Sequence, residues 1–93
     1  MTSKKNRAAV VRLAPGIHVD VGQASGAPLV LVCPDGNVQL NRIAAAILSL
    51  CDGSRNRDDV IAEVLRSSPR QARALEIVEF LDVALARGWI NET

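Results

Sequence analysis

The spacing of hydrophobic positions changes once along this chain, and the change separates a strand-forming half from a helix-forming half. Ile17, Val19 and Val21 alternate with His18 and Asp20, the two-residue period of a half-buried strand. Gly22 to Pro28 is small, polar and rich in breakers, and reads as a loop. Leu29 to Cys33 is an unbroken apolar run of strand length, suited to a central strand. Pro34-Asp35-Gly36 then supplies a tight turn, Pro34 by fixing φ and Gly36 by accepting a positive one. Val38 and Leu40 resume the alternation around Gln39. Together these segments predict a three-stranded antiparallel meander.

From Asn41 onward the period is helical. Asn41 can cap a helix in which Ile43, Ile47, Leu50 and Cys51 fall at i, i+4, i+7 and i+8, and Gly53 is placed to end it in a left-handed cap. Asn56 can cap a second helix from Arg57 to Arg66, with Asp58 and Asp59 in its first turn and Val60, Ile61, Val64 and Leu65 as its buried stripe. Ser68-Pro69 announces a third, predicted to run to Arg87, where Gly88 stops it and Trp89-Ile90 fold back on the core. The fold class expected is α+β, a three-stranded antiparallel sheet followed by three helices.

The third helix has an unusual pattern. At about 100° per residue, Ala74, Ile77, Val78, Leu81, Ala84 and Leu85 share one face, with Phe80 widening it on one flank and Glu76, Glu79 and Asp82 on the far side. So wide an apolar arc belongs either to a central helix packed on two sides or to one that also lines an open groove for a partner. The pattern leaves both open.

Composition narrows the function. A chain of 93 residues makes one domain, and with 48% hydrophobic but only 2% aromatic residues its core is aliphatic. The formal charge of +1 gives no general reason to bind nucleic acid. Lys4, Lys5, Arg7 and Arg12 precede the first acid, Asp20, so residues 1–12 are expected to be a flexible basic tail and 13–93 the domain. Arg12 interrupts the apolar residues before it, which leaves no signal peptide, and no run is long enough to span a membrane; a cytoplasmic protein is expected. Cys33 and Cys51 lie far apart with no metal-ligand spacing and read as free buried thiols. His18, the sole histidine, sits on the polar phase of a strand. No nucleophile has a base near it, no glycine-rich phosphate loop or calcium loop is present, and the expectation is a binding protein that is not an enzyme and has no cofactor, catalytic residue or metal ligand.

Pro15-Gly16, then Pro34-Asp35-Gly36 ahead of Val38-Gln39-Leu40-Asn41, then Leu50-Cys51-Asp52-Gly53, and finally Phe80-Leu81 with Gly88-Trp89-Ile90, form an ordered set that resembles the PqqD family, over roughly Leu13 to Ile90. The chain departs from the family pattern at Ser67 to Arg73, ahead of the last helix. The resemblance implies a winged-helix-like domain that acts as a peptide chaperone in pyrroloquinoline quinone (PQQ) biosynthesis. Such a domain binds the ribosomally made precursor peptide and presents it to a radical S-adenosylmethionine enzyme. Physical reasoning agrees with that mode, because an edge strand offers unpaired N–H and C=O groups that an extended peptide can satisfy. The candidate peptide-binding residues are Val38, Gln39, Leu40 and Asn41 on the edge, Val78, Leu81 and Leu85 as the wall of a pocket, and Glu79 and Asp82 at its rim. Leu40 and Leu81 can equally be wholly buried. The same edge can pair with a second copy, which makes a homodimer compatible with the sequence. The alternative is a nucleic-acid-binding winged helix, which wants a basic exposed recognition helix where this chain has an acidic stripe.

Overall fold

A computed structural model describes residues 9–22 and 28–93. The expected basic residues Lys4, Lys5 and Arg7 and most of the Gly22–Pro28 loop lie outside the described residues. The apolar run forms the middle of an antiparallel sheet, with β3 (Leu29–Cys33) between β2 (His18–Asp20) and β4 (Gly36–Leu40). Pro34 and Asp35 alone join β3 to β4, and Gly36 takes φ +142°. The register sets Leu29 opposite Leu40, Leu31 opposite Val38 and Val19 opposite Leu31. One face of the sheet is therefore apolar, and Leu31 is wholly buried there. His18, Asp20, Asn37 and Gln39 point the other way and are exposed. Among the described residues β4 has β3 as its only strand partner, so its outer margin is a sheet edge.

A second small sheet was not expected. Its centre is β1 (Val11–Leu13), flanked by β5 (Asp52–Arg55) and β6 (Ile90–Glu92), both antiparallel to it. Val11 and Arg12, assigned from sequence to the tail, thus belong to the domain. Val11 has no exposed surface and its strand is paired on both sides, which offsets the entropy of ordering it. The pairing continues outward, Val10 and Thr93 exchanging N–H···O bonds of 2.7 and 2.9 Å.

The three helices are α1 (Arg42–Ser49), α2 (Arg57–Ser67) and α3 (Ala74–Ala86). Two begin as the caps require: the Asn41 side-chain oxygen accepts from the Ala44 N–H at 2.7 Å, and that of Asn56 from the Asp59 N–H at 2.8 Å. Two other boundaries differ. Leu50, not Gly53, caps α1; Gly53 lies within β5 at φ +87°, where a Cβ would come 3.2 Å from the Arg12 guanidinium carbon. Ser68-Pro69 does not open α3. The Ser68 N–H closes α2 on the Val64 carbonyl, and the Ser68 carbonyl accepts from the N–H groups of Gln71 and Ala72. That separate turn delays α3 to Ala74, with extended Arg73 before it. At the far end Gly88 adopts φ +77°, and the Trp89 N–H bonds the Ala84 carbonyl at 2.9 Å, turning Trp89 and Ile90 back as expected.

The α+β class expected from the sequence is what the chain adopts. Its core lies between the helices and the two sheets and is aliphatic: Leu31, Ile47, Leu48, Ile77, Leu81 and Ile90 are its largest fully buried side chains. No polar or charged residue is buried among those described.

Candidate functional site

Beside the free edge of β4 the chain leaves a groove of about 550 Å³. Its floor and one wall come from Val38, Gln39 and Leu40 of β4, Asn41, and the first turns of α1. The opposite wall is Glu76 and Phe80 of α3 with Trp89, and Gln71 lies at its border. Phe80 and Trp89 stand with ring centroids 6.3 Å apart, tilted by 44°. That is an attractive aromatic arrangement. The Arg87 guanidinium lies over the Trp89 ring, 5.6 Å from its centroid, and a cation–π contact holds the indole in place. The chain has one Phe, one Trp and no Tyr, so both its aromatic residues face this groove, half-buried, while the core does without them. Aromatic side chains concentrated at a surface depression are the composition of a recognition site.

The candidate residues read from the sequence divide in two. Val38, Gln39, Leu40 and Asn41 line the groove, although the Asn41 side-chain oxygen is already engaged in capping α1. Val78, Glu79, Leu81, Asp82 and Leu85 do not line it. Leu81 has no exposed surface and belongs to the core with Ile77 and Ala84. Asp82 accepts a 2.6 Å hydrogen bond from Arg57 of α2, which places that flank of α3 against α2, with half-buried Val78 and Leu85 on the same side. Glu79 is exposed. The wide arc thus serves three neighbours: Ile77, Leu81 and Ala84 face the core, Val78 and Leu85 the α2 flank, and Phe80 alone the groove. None of the other groove residues, Glu76, Phe80 and Trp89 among them, was proposed from sequence as a site residue. The signal for Trp89 was available in the scarcity of aromatic residues.

Other chemistry is sparse. Cys33 and Cys51 are free thiols. Burial first, and the nearby Asp52 carboxylate second, push the Cys51 thiol from its ordinary value of 9.0 up to about 11. It therefore stays protonated near neutrality and is a poor nucleophile and a poor metal ligand. Because the folded value exceeds the unfolded one, the unfolded chain releases this proton first as pH rises, so this contribution to stability falls between about pH 9 and 11. The expected result is a denaturation midpoint that drops across that window, with a Cys51→Ala variant losing that part of the drop; an identical slope in the variant would contradict it. Among the described residues no group of three or more His, Cys, Asp or Glu side chains could hold a metal ion, and no helix is long and apolar enough to cross a membrane.

Comparison with known proteins decides the family. The family model described as "Coenzyme PQQ synthesis protein D (PqqD)" matches residues 29–90, from the central strand of the first sheet through α3 to the start of β6. This chain belongs to the PqqD family. Within and around that family, it is 38% identical over 63 residues to the "PqqA binding protein" of Methylococcus capsulatus, a match covering 68% of each chain. The "PqqA binding protein" of Azotobacter vinelandii is 42% identical over 63 residues, covering 67% of this chain and 68% of that one. Among solved structures, the heterocyclase TruD contains a similar fold, with a TM-score of 0.63 at 19% identity over 91% of this chain. The match spans only 12% of the heterocyclase, so the PqqD-like fold corresponds to a small part of a much larger chain. The matched PqqD region contains every residue that lines the groove.

Proposed function

We propose that this protein binds PqqA, the precursor peptide of coenzyme PQQ, as a strand added to the free edge of β4, with side chains of the peptide seated in the groove against Phe80 and Trp89. The observation that carries this reading is the position of both aromatic residues beside an unpaired sheet edge. Main-chain pairing along β4 supplies affinity with little demand on sequence, and the groove supplies selectivity. The names of the PqqA binding proteins that it resembles, at about two-fifths identity, agree with that partner. In this reading the protein acts in the cytoplasm as a chaperone without a cofactor or a reaction of its own, and it presents the bound peptide to a radical S-adenosylmethionine enzyme. A nucleic-acid role has little support, since Glu76, Glu79 and Asp82 are exposed along α3, where a recognition helix would be basic.

Trp89 is the single tryptophan and lines the groove, so its fluorescence reports occupancy directly. Titration with PqqA is expected to shift and saturate that emission. Backbone amide shifts should change most along Gly36–Asn41 and around Phe80. Shift changes confined to β2 or to the exposed face of α2, with Trp89 emission unaltered, would place the peptide elsewhere and refute the proposal.

A further inference from the structure

We infer that the groove reads charge as well as shape: its peptide carries a basic side chain at the Glu76 end and an acidic one at the Arg87 end, about five residues apart. This rests on the peptide-binding reading above and adds the charge and the spacing of the side chains recognised.

Among the described residues Glu76 is the one charged residue that lines the groove; the others are aliphatic, aromatic or amides. Among the described residues its carboxylate has no ion-pair or hydrogen-bond partner; Asp58, Asp59 and Glu79 are also unpaired, but Glu76 alone of these lines the groove. Arg87 likewise has no acidic partner among the described residues, and its guanidinium lies over the Trp89 ring. Glu76, Phe80 and Arg87 stand at i, i+4 and i+11, which brings them onto one stripe of the α3 surface at about 100° per residue. A negative charge, an aromatic anchor and a positive charge therefore follow one another along this stripe of α3; Glu76 and Phe80 line the groove, and Arg87 adjoins it through the Trp89 ring.

The spacing follows from geometry. Eleven residues of helix rise about 16 Å at ~1.5 Å each. An extended peptide advances ~3.3 Å per residue, so the same distance spans about five residues of ligand. Charges at the ends of a helix also complement its dipole, and that would explain an acid near the start of α3 and a base at its end. The dipole does not explain why the acid lines the groove and the base stacks on a ring that lines it, and its contribution is to folding, not to peptide affinity. Both side chains are exposed, so each contact is modest and screened by salt. Their effect is on selectivity more than on total affinity.

The test is a charge-swap matrix. Glu76→Lys and Arg87→Glu, each confirmed as folded by circular dichroism, are titrated with PqqA at low ionic strength and again at about 0.5 M salt. They are then titrated with PqqA peptides in which each basic residue is changed to Glu and each acidic one to Lys, one at a time. Each protein variant is expected to bind unaltered PqqA about five-fold more weakly at low salt, with the difference shrinking at high salt. One basic-to-acidic peptide change should restore binding to Glu76→Lys, and one acidic-to-basic change to Arg87→Glu, at peptide positions four to six residues apart. Unchanged affinities, absent rescue, or rescuing positions outside that spacing would overturn the inference. Phe80→Ala separates the two levels of argument. If it loses PqqA while the charge variants bind normally, the groove stands and its charge preference falls; if it too binds normally, the groove reading itself falls.

Discussion

Replacing Phe80 by alanine is expected to weaken binding of PqqA by about thirty-fold or more, the effect of losing roughly 2 kcal/mol at an aromatic anchor. Phe80 is the only aromatic side chain that α3 contributes to the groove, and it meets Trp89 there at 6.3 Å between centroids. Its removal deletes one wall of the depression and frees the indole to turn. Because Phe80 is only half-buried, the same change should lower stability by about 1 to 2 kcal/mol, less than a core truncation costs. Isothermal titration with PqqA, run well below the melting temperature of the variant, reads the first effect, and urea denaturation reads the second. Affinity within two-fold of the wild type in a folded variant would remove Phe80 from the site.

Leu81→Ala, one residue along, is expected to do the reverse. Leu81 has no exposed surface and packs in the aliphatic core, so truncation should cost about 3 kcal/mol through lost burial and the cavity left behind. That is a large fraction of the roughly 5 to 15 kcal/mol that holds a domain of this kind together. Below its melting temperature the variant should still bind PqqA at close to normal affinity. If it instead melted normally and lost the peptide, the face of α3 that lines the groove would have to be the one read from sequence. Neighbouring residues 100° apart on one helix thus distinguish packing from recognition.

The difference between these two residues shows what the sequence could and could not convey. Strand and helix identities were legible because each rested on local chemistry: the apolar run Leu29 to Cys33, the two-residue connection Pro34-Asp35, and the Asn41 and Asn56 caps all act within a few residues of themselves. The edge position of β4 followed from the order of the meander. The orientation of α3 was not legible, since an arc holding Ile77, Val78, Phe80, Leu81 and Leu85 fixes which side is apolar but not which flank meets α2 and which meets open space. The second sheet was hidden for a different reason. Its strands span three or four residues, too few for a period to emerge, and β1 finds its partners some forty and eighty positions away. Ser68-Pro69 misled because a serine that carries the signature of a helix start was used to finish the helix before it.

The Val10–Thr93 pairing has a practical corollary. Where two remote stretches of backbone are clasped side by side, a short linker can join them and new ends can be opened in a surface turn, so a rearranged chain should retain the same architecture. Such a unit can also be spliced into a larger polypeptide as a cassette, entering and leaving the host at neighbouring points away from the β4 margin.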